Sequence, residues 1–357
     1  MSAVVRGLSW DHPRGHAPLV AASDAWAHAR GGVRVEWTPR SLADFGGGEL
    51  SRYLGEFDLV ACDYPLIGRA VAEGWLQPLN GIADVFAGPS HASYTLDGQL
   101  WAAPVDAAAL TFARRPDLLP EPPSTFAELL DLAGRTGRVA VPLSLFSAVA
   151  LYATFCAEAD VDPFGHSPGR RHALDRMAEL APHTTRRGSV DLLRTMATSD
   201  ELLAVAWPYG YSTYSLAGAF GHRIAFTDPP SSVPGRPARP TLGGVGLGLL
   251  TGGPAPEVAG ELLRHLVGQD AQRGLYTTSG GQPALAAAWD DPGLDRAVLG
   301  FFTGTRTSLE NAYVRPNAAW YDHAQPRIGA VLQEFTAGER VAAATLSAMD
   351  DIVKAVS

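Results

Sequence analysis

The chain has 357 residues, 46% of them apolar and 18% charged, which is enough for two domains with cores of their own and too apolar for extended disorder. A net charge of −9 with no basic run excludes nucleic acid or an anionic membrane surface as the natural partner and favours a small molecule. All but one of the 28 basic residues are arginine, so with only Lys354 near the C-terminus there is no lysine placed for a Schiff base or a phosphate loop.

Residues 1–10, MSAVVRGLSW, predict a first strand. They hold one Arg and no long apolar core, so they do not read as a secretory leader. The expected location is the cytoplasm, or the periplasm or extracellular space if a leader was removed. Directly after the strand comes a knot of Trp10, Asp11, His12, Arg14 and His16. The stretch APLVAASDAWAHARGG then predicts a helix stopping at Gly31-Gly32, and VRVEWTP a second strand. A helix is expected around SLADFGGGELSRYLGE, whose glycine run lacks the following lysine of a phosphate loop and reads as a flexible turn. FDLVACDYPLIGRAVAEGWLQPL predicts a buried strand, a loop with Asp63 and Tyr64, a helix and a turn. This alternation specifies a parallel sheet with helices on both faces. Ligands of such sheets sit at the carboxyl ends of strands, so the Asp11 and Asp63 loops should face one crevice.

Asp97-Gly98 signals a hairpin, followed by a short strand and PVDAAALTFARR, which contains Asp106. Ser124-Thr125 caps a helix over STFAELLDLAGRTG, RVAVPLS is a strand, and helices run to about residue 200. Trp207, Tyr209, Tyr211 and Tyr214 then crowd eight residues. They cannot all share the core face of one strand, so some are expected in the crevice as stacking surfaces. Residues 229–240 form a Pro/Gly/Ser-rich loop, and LGGVGLGLL reads as a buried strand because its glycines do not match a dinucleotide fingerprint. Two packed helices end the chain. Cys62 and Cys156 lie in apolar runs as buried thiols, with no Cys/His cluster at ligand spacing, so neither a metal nor a cofactor is expected.

FDLVACDYPLIGRAVAEGWLQPL, LDGQLWAAPVDAAALTFARRPDLL, AVAWPYGYSTY, LGGVGLGLL and VRPNAAWYDHAQPRIGAVLQEFTAGE together resemble, in order, segments of the family 1 extracellular solute-binding proteins of ABC importers, the maltose-binding-protein-like group. The resemblance implies a two-lobed α/β fold of the periplasmic-binding-protein type II class. Lobe one would hold residues 1–106 and 245–300, and lobe two residues 107–244 and 301–357. Ligand would bind between the lobes, and the crossovers near Asp106 and Gly244 would act as hinges. An ABC permease would be the partner only of an exported protein.

The candidate ligand-binding residues are Trp10, Asp11, His12, Arg14, Asp63, Tyr64, Asp106, Trp207, Tyr209, Tyr211, Arg315, Trp320 and Tyr321. Each has a plainer alternative. Asp11 could cap the next helix and pair with Arg14, Asp63 and Asp106 could be capping or hinge groups, Arg315 could be a surface ion pair, and Trp320 and Tyr321 could pack in a core. Two functions remain open: a binding protein closing over a sugar-like or carboxylate-bearing molecule, or a cofactor-free lyase, dehydratase or isomerase with His12 and Asp11 as its acid–base pair.

Overall fold

The computed structural model describes residues 3–356. Its strands are β1 (Ala3–Trp10), β2 (Val33–Arg40), β3 (Leu59–Cys62), β4 (Leu76–Gln77), β5 (Thr95–Leu96), β6 (Gln99–Leu100), β7 (Ala102–Arg114), β8 (Val139–Pro142), β9 (Thr184–Thr185), β10 (Ala204–Tyr209), β11 (Ala225–Thr227) and β12 (Leu242–Leu250). The main sheet runs β2-β1-β3-β12-β7-β10-β8-β9, parallel at β2-β1-β3 and at β10-β8-β9, and antiparallel where β12 and β7 join the two halves. β7 makes the connection: residues 102–109 pair with β12, and residues 110–114 with β10 and β11. Its run of alanines is buried up to Ala113, as suits a strand covered on both faces.

The first helices are α1 (Pro13–Arg30), α2 (Leu42–Gly47), α3 (Ile67–Ala72), α4 (Ser90–Ser93), α5 (Phe126–Thr136), α6 (Leu145–Glu158), α7 (Arg170–Leu180), α8 (Ser189–Thr198) and α9 (Pro256–Val267), and all but the short α4 were expected. The expected long helix around residue 45 is instead the six-residue α2, closed at Gly48, followed by a 3-10 turn over Ser51–Tyr53. A side chain at Gly48 would come within 2.3 Å of the Asp44 carbonyl, so this exit is reserved for glycine. α5 starts as predicted, with Thr125 Oγ1 accepting from Glu128 N.

One hydrophobic core gathers around Val5, Leu8, Leu59, Val60, Leu262 and Leu266, and extends to Phe301, Phe302 and Leu309. A second gathers around Leu129, Val149, Phe155, Leu174 and Trp207, and includes the two last helices, Ala319–Thr336 and Ala342–Val356, through Ile328 and Met349. Those helices pack on each other, and the first of them packs on α6. At the join, Gly244 pairs with Ala107 and Val245 with Asp106, and the register shifts between Val245 and Gly246. Gly244 has φ +120°, and a Cβ there would lie 2.4 Å from the Asp106 carbonyl, so only glycine fits this crossing. Among the described residues no helix is long and apolar enough to cross a membrane.

Candidate functional site

A cavity of about 360 Å³ opens between the two halves of the sheet. Its first wall is the loop after β1. Trp10 ends that strand, and its indole lies over the first turn of α1, where a Cβ on Gly15 would fall 2.1 Å from the ring; Phe45 of α2 stacks beside it at 5.3 Å. His12, not Asp11, caps α1: its Nδ1 accepts from Arg14 N at 3.1 Å, with Pro13 at the first helical position. Because Nδ1 is the acceptor, the ring proton resides on Nε2. Burial, with the Arg14 and Arg194 charges adding to it, lowers the His12 pKa to about 4, so the imidazole is neutral at pH 7.

Two arginines form the floor, and both are already paired. Arg14 donates Nε to Asp106 Oδ2 at 2.7 Å, Nη2 to Asp106 Oδ1, and Nη1 to the Gly210 carbonyl at 2.6 Å, with its guanidinium 4.4 Å from the Tyr211 ring centre. Arg14 therefore pairs with Asp106 rather than with Asp11, which stays exposed at the rim. Arg315, only 4% exposed, donates Nη2 to both oxygens of Asp63 at 2.9 and 3.0 Å and Nε to Tyr64 Oη at 2.9 Å; Tyr64 Oη in turn donates to the Leu242 carbonyl. Arg315 is thus a buried ion pair and not a surface one.

The opposite wall is made by helix starts. Ser144, Phe146 and Ser147 come from the N-terminus of α6, and Gly188, Ser189, Val190, Asp191 and Arg194 from that of α8. Tyr209 and Tyr211 complete it, with Ala108, Gly243, Gly244 and Val245 at the join. Tyr209 packs against Gly243, where a Cβ would meet its ring at 2.7 Å, and its buried hydroxyl has no hydrogen-bond partner among the described residues. Tyr211 meets the His12 ring edge-on at 4.9 Å.

Of the residues expected in the crevice, Trp10, Asp11, His12, Arg14, Asp63, Tyr209, Tyr211 and Arg315 line it. Tyr64 and Asp106 lie one layer behind, holding Arg315 and Arg14. Trp207, Trp320 and Tyr321 are elsewhere. Trp207 is 1% exposed and packs between Phe126 and Phe155 in the second core, because its backbone adopts φ +54° at a bulge in β10 and turns the indole away from the face that Tyr209 takes. Trp320 and Tyr321 pack on Phe164 at 5.8 and 5.4 Å, with Tyr321 fully buried. Tyr214 stacks on Phe220 inside the first core. The sequence reading missed Leu42, Phe45 and the α6 and α8 starts. The same strand-end rule that found the first loop applies to Ser144, two residues beyond the end of β8.

The profile of the bacterial extracellular solute-binding proteins matches residues 51–301. The chain belongs to that family. The solved structures it resembles span the whole molecule: maltose-bound MalE3 of T. maritima, with 19% identity, TM-score 0.78 and 99% of each chain covered; the GacH receptor of Streptomyces glaucescens, solved unliganded and with acarbose, with 14% identity, TM-score 0.80 and 100% of each chain covered; and a cyclo/maltodextrin-binding protein with maltotetraose, with 18% identity, TM-score 0.77 and 99% and 97% coverage. At these identities they establish the two-lobed solute-binding fold, and the cavity of this family member lies between its lobes.

Proposed function

We propose that the cleft captures a neutral, hydroxyl-rich molecule of the sugar type and releases it unchanged to an ABC permease. The observation that carries this reading is the internal pairing of the floor. On the floor, a ligand carboxylate would have to displace Asp63 from Arg315 or Asp106 from Arg14, and a buried charge left without its partner is costly. A neutral polyol needs no such exchange. It can lay C–H faces on the Tyr209 and Tyr211 rings and meet the His12 Nε2–H and the serine hydroxyls with its own. The structural neighbours named for maltose, maltotetraose and acarbose support the same ligand class.

The acid–base alternative would run through His12 and Asp11. A proton-transfer group works best with a pKa near the operating pH, whereas His12 is held near 4 and its free lone pair is spent on Arg14 N–H. Delivery to a permease requires the outer face of the membrane, and fractionation of cells carrying the natural gene measures that location. Calorimetric titration with a panel of mono- and oligosaccharides tests the ligand class. We expect one-to-one binding, with the sugar recovered at unaltered mass. Binding of dicarboxylates in preference to every sugar, or a product of changed mass, refutes the proposal.

A further inference from the structure

Among the described residues seven large apolar side chains are exposed. Val85, Leu118, Leu275, Leu299 and Val341 stand outside the cleft, and scattered exposure of that kind is ordinary. Leu42 and Phe146 differ. Leu42, 46% exposed, opens α2 in the first wall, and Phe146, 36% exposed, sits in the first turn of α6 in the opposite one, yet both line the same cavity. Both are too exposed to belong to a hydrophobic core. Val190, half-buried at the start of α8, also lines the cavity. Folding therefore does not account for three apolar side chains at the mouth. The polar groups suited to a sugar lie deeper: His12 and Arg315 are buried and Asp63 nearly so. The opening carries the apolar Leu42, Phe146 and Val190 together with the exposed charges of Asp11, Asp191 and Arg194, above a charge-paired floor.

We infer that the natural ligand is amphipathic, a hydroxylated head carrying an alkyl or aryl substituent, with the head on the floor and the substituent between Leu42, Phe146 and Val190. The inference rests on the sugar reading above and adds the apolar substituent to it. A bare sugar would leave this rim wet, whereas a substituent would remove apolar surface on both walls from water at once.

The test compares methyl and p-nitrophenyl glycosides of matched sugars by calorimetry, on the wild-type chain and on Leu42→Ser/Phe146→Ser. The p-nitrophenyl glycoside of the accepted sugar should bind about tenfold or more tighter than its methyl counterpart, as burial of one ring's apolar surface implies. In the rim variant that ratio should fall toward one. Equal affinities in the wild type overturn the inference and leave the sugar reading standing. A preserved ratio with both affinities reduced makes the rim a latch between the lobes, and also overturns it. Failure of every glycoside to bind overturns both.

Discussion

The Arg14–Asp106 pair is the most consequential contact beneath the cleft, and a mutant cycle measures it. Asp106 is 1% exposed and Arg14 4%, so Asp106→Leu leaves a guanidinium in the protein interior with only the Gly210 carbonyl and the Tyr211 face as partners. Loss of one member of a buried pair costs roughly 3–5 kcal/mol. Arg14→Met strands the Asp106 carboxylate in the same way. The double variant Arg14→Met/Asp106→Leu removes both charges and fills the space with apolar atoms, which is often close to neutral. The double should therefore cost far less than the sum of the singles, with a coupling of at least about 2 kcal/mol, measured from urea unfolding midpoints and slopes. An Asp106→Leu cost below about 1 kcal/mol, or strict additivity, would refute the claim that this pair is a closed unit unavailable to a ligand carboxylate.

Four further variants have expected outcomes. Glu158 is buried with Oε2 accepting from Ser232 N at 2.8 Å and Oε1 unpartnered, and burial raises its pKa from 4.5 to about 7. The folded state therefore holds a proton that the unfolded state has lost, and this group's contribution should fall by about 3 kcal/mol as pH rises from 4.5 through 7; urea unfolding of Glu158→Gln across that range should lack this fall. Trp207→Ala should destabilise the fold by roughly 3–5 kcal/mol, as expected for a core aromatic, while the folded fraction keeps its ligand affinity in calorimetry. Gly243→Ala should add roughly 1–3 kcal/mol of overpacking strain against the Tyr209 ring, read as weaker ligand binding and a lower melting temperature. Gly134→Ala, where nothing lies within 4 Å of the new methyl, should be neutral or slightly stabilising.

Local pattern in the sequence determined the order of strands and helices, the Thr125 cap, the buried β12 and the placement of the Trp10–Arg14 loop at a strand end. Each depends on residues a few positions apart: an apolar period, a capping oxygen, a proline at a helix start. It also suggested that the aromatics in and after β10 divide between core and crevice, but not how, because the division is set by one left-handed residue, Trp207, at a bulge. Periodicity assumes a regular strand, and a single positive φ inverts it. The charge pairs lay further out of reach. Arg14 and Asp106 are 92 residues apart and Asp63 and Arg315 are 252 apart, so only the tertiary arrangement brings them together: the sheet order for the first pair, and the bridge of Tyr313 to Thr241 beside β12 for Arg315. The same holds for Leu42 and Phe146, each an ordinary first-turn residue in its own helix. Only the facing of two lobes turns them into opposite sides of one opening, because which side chains share a space is decided by how distant segments pack.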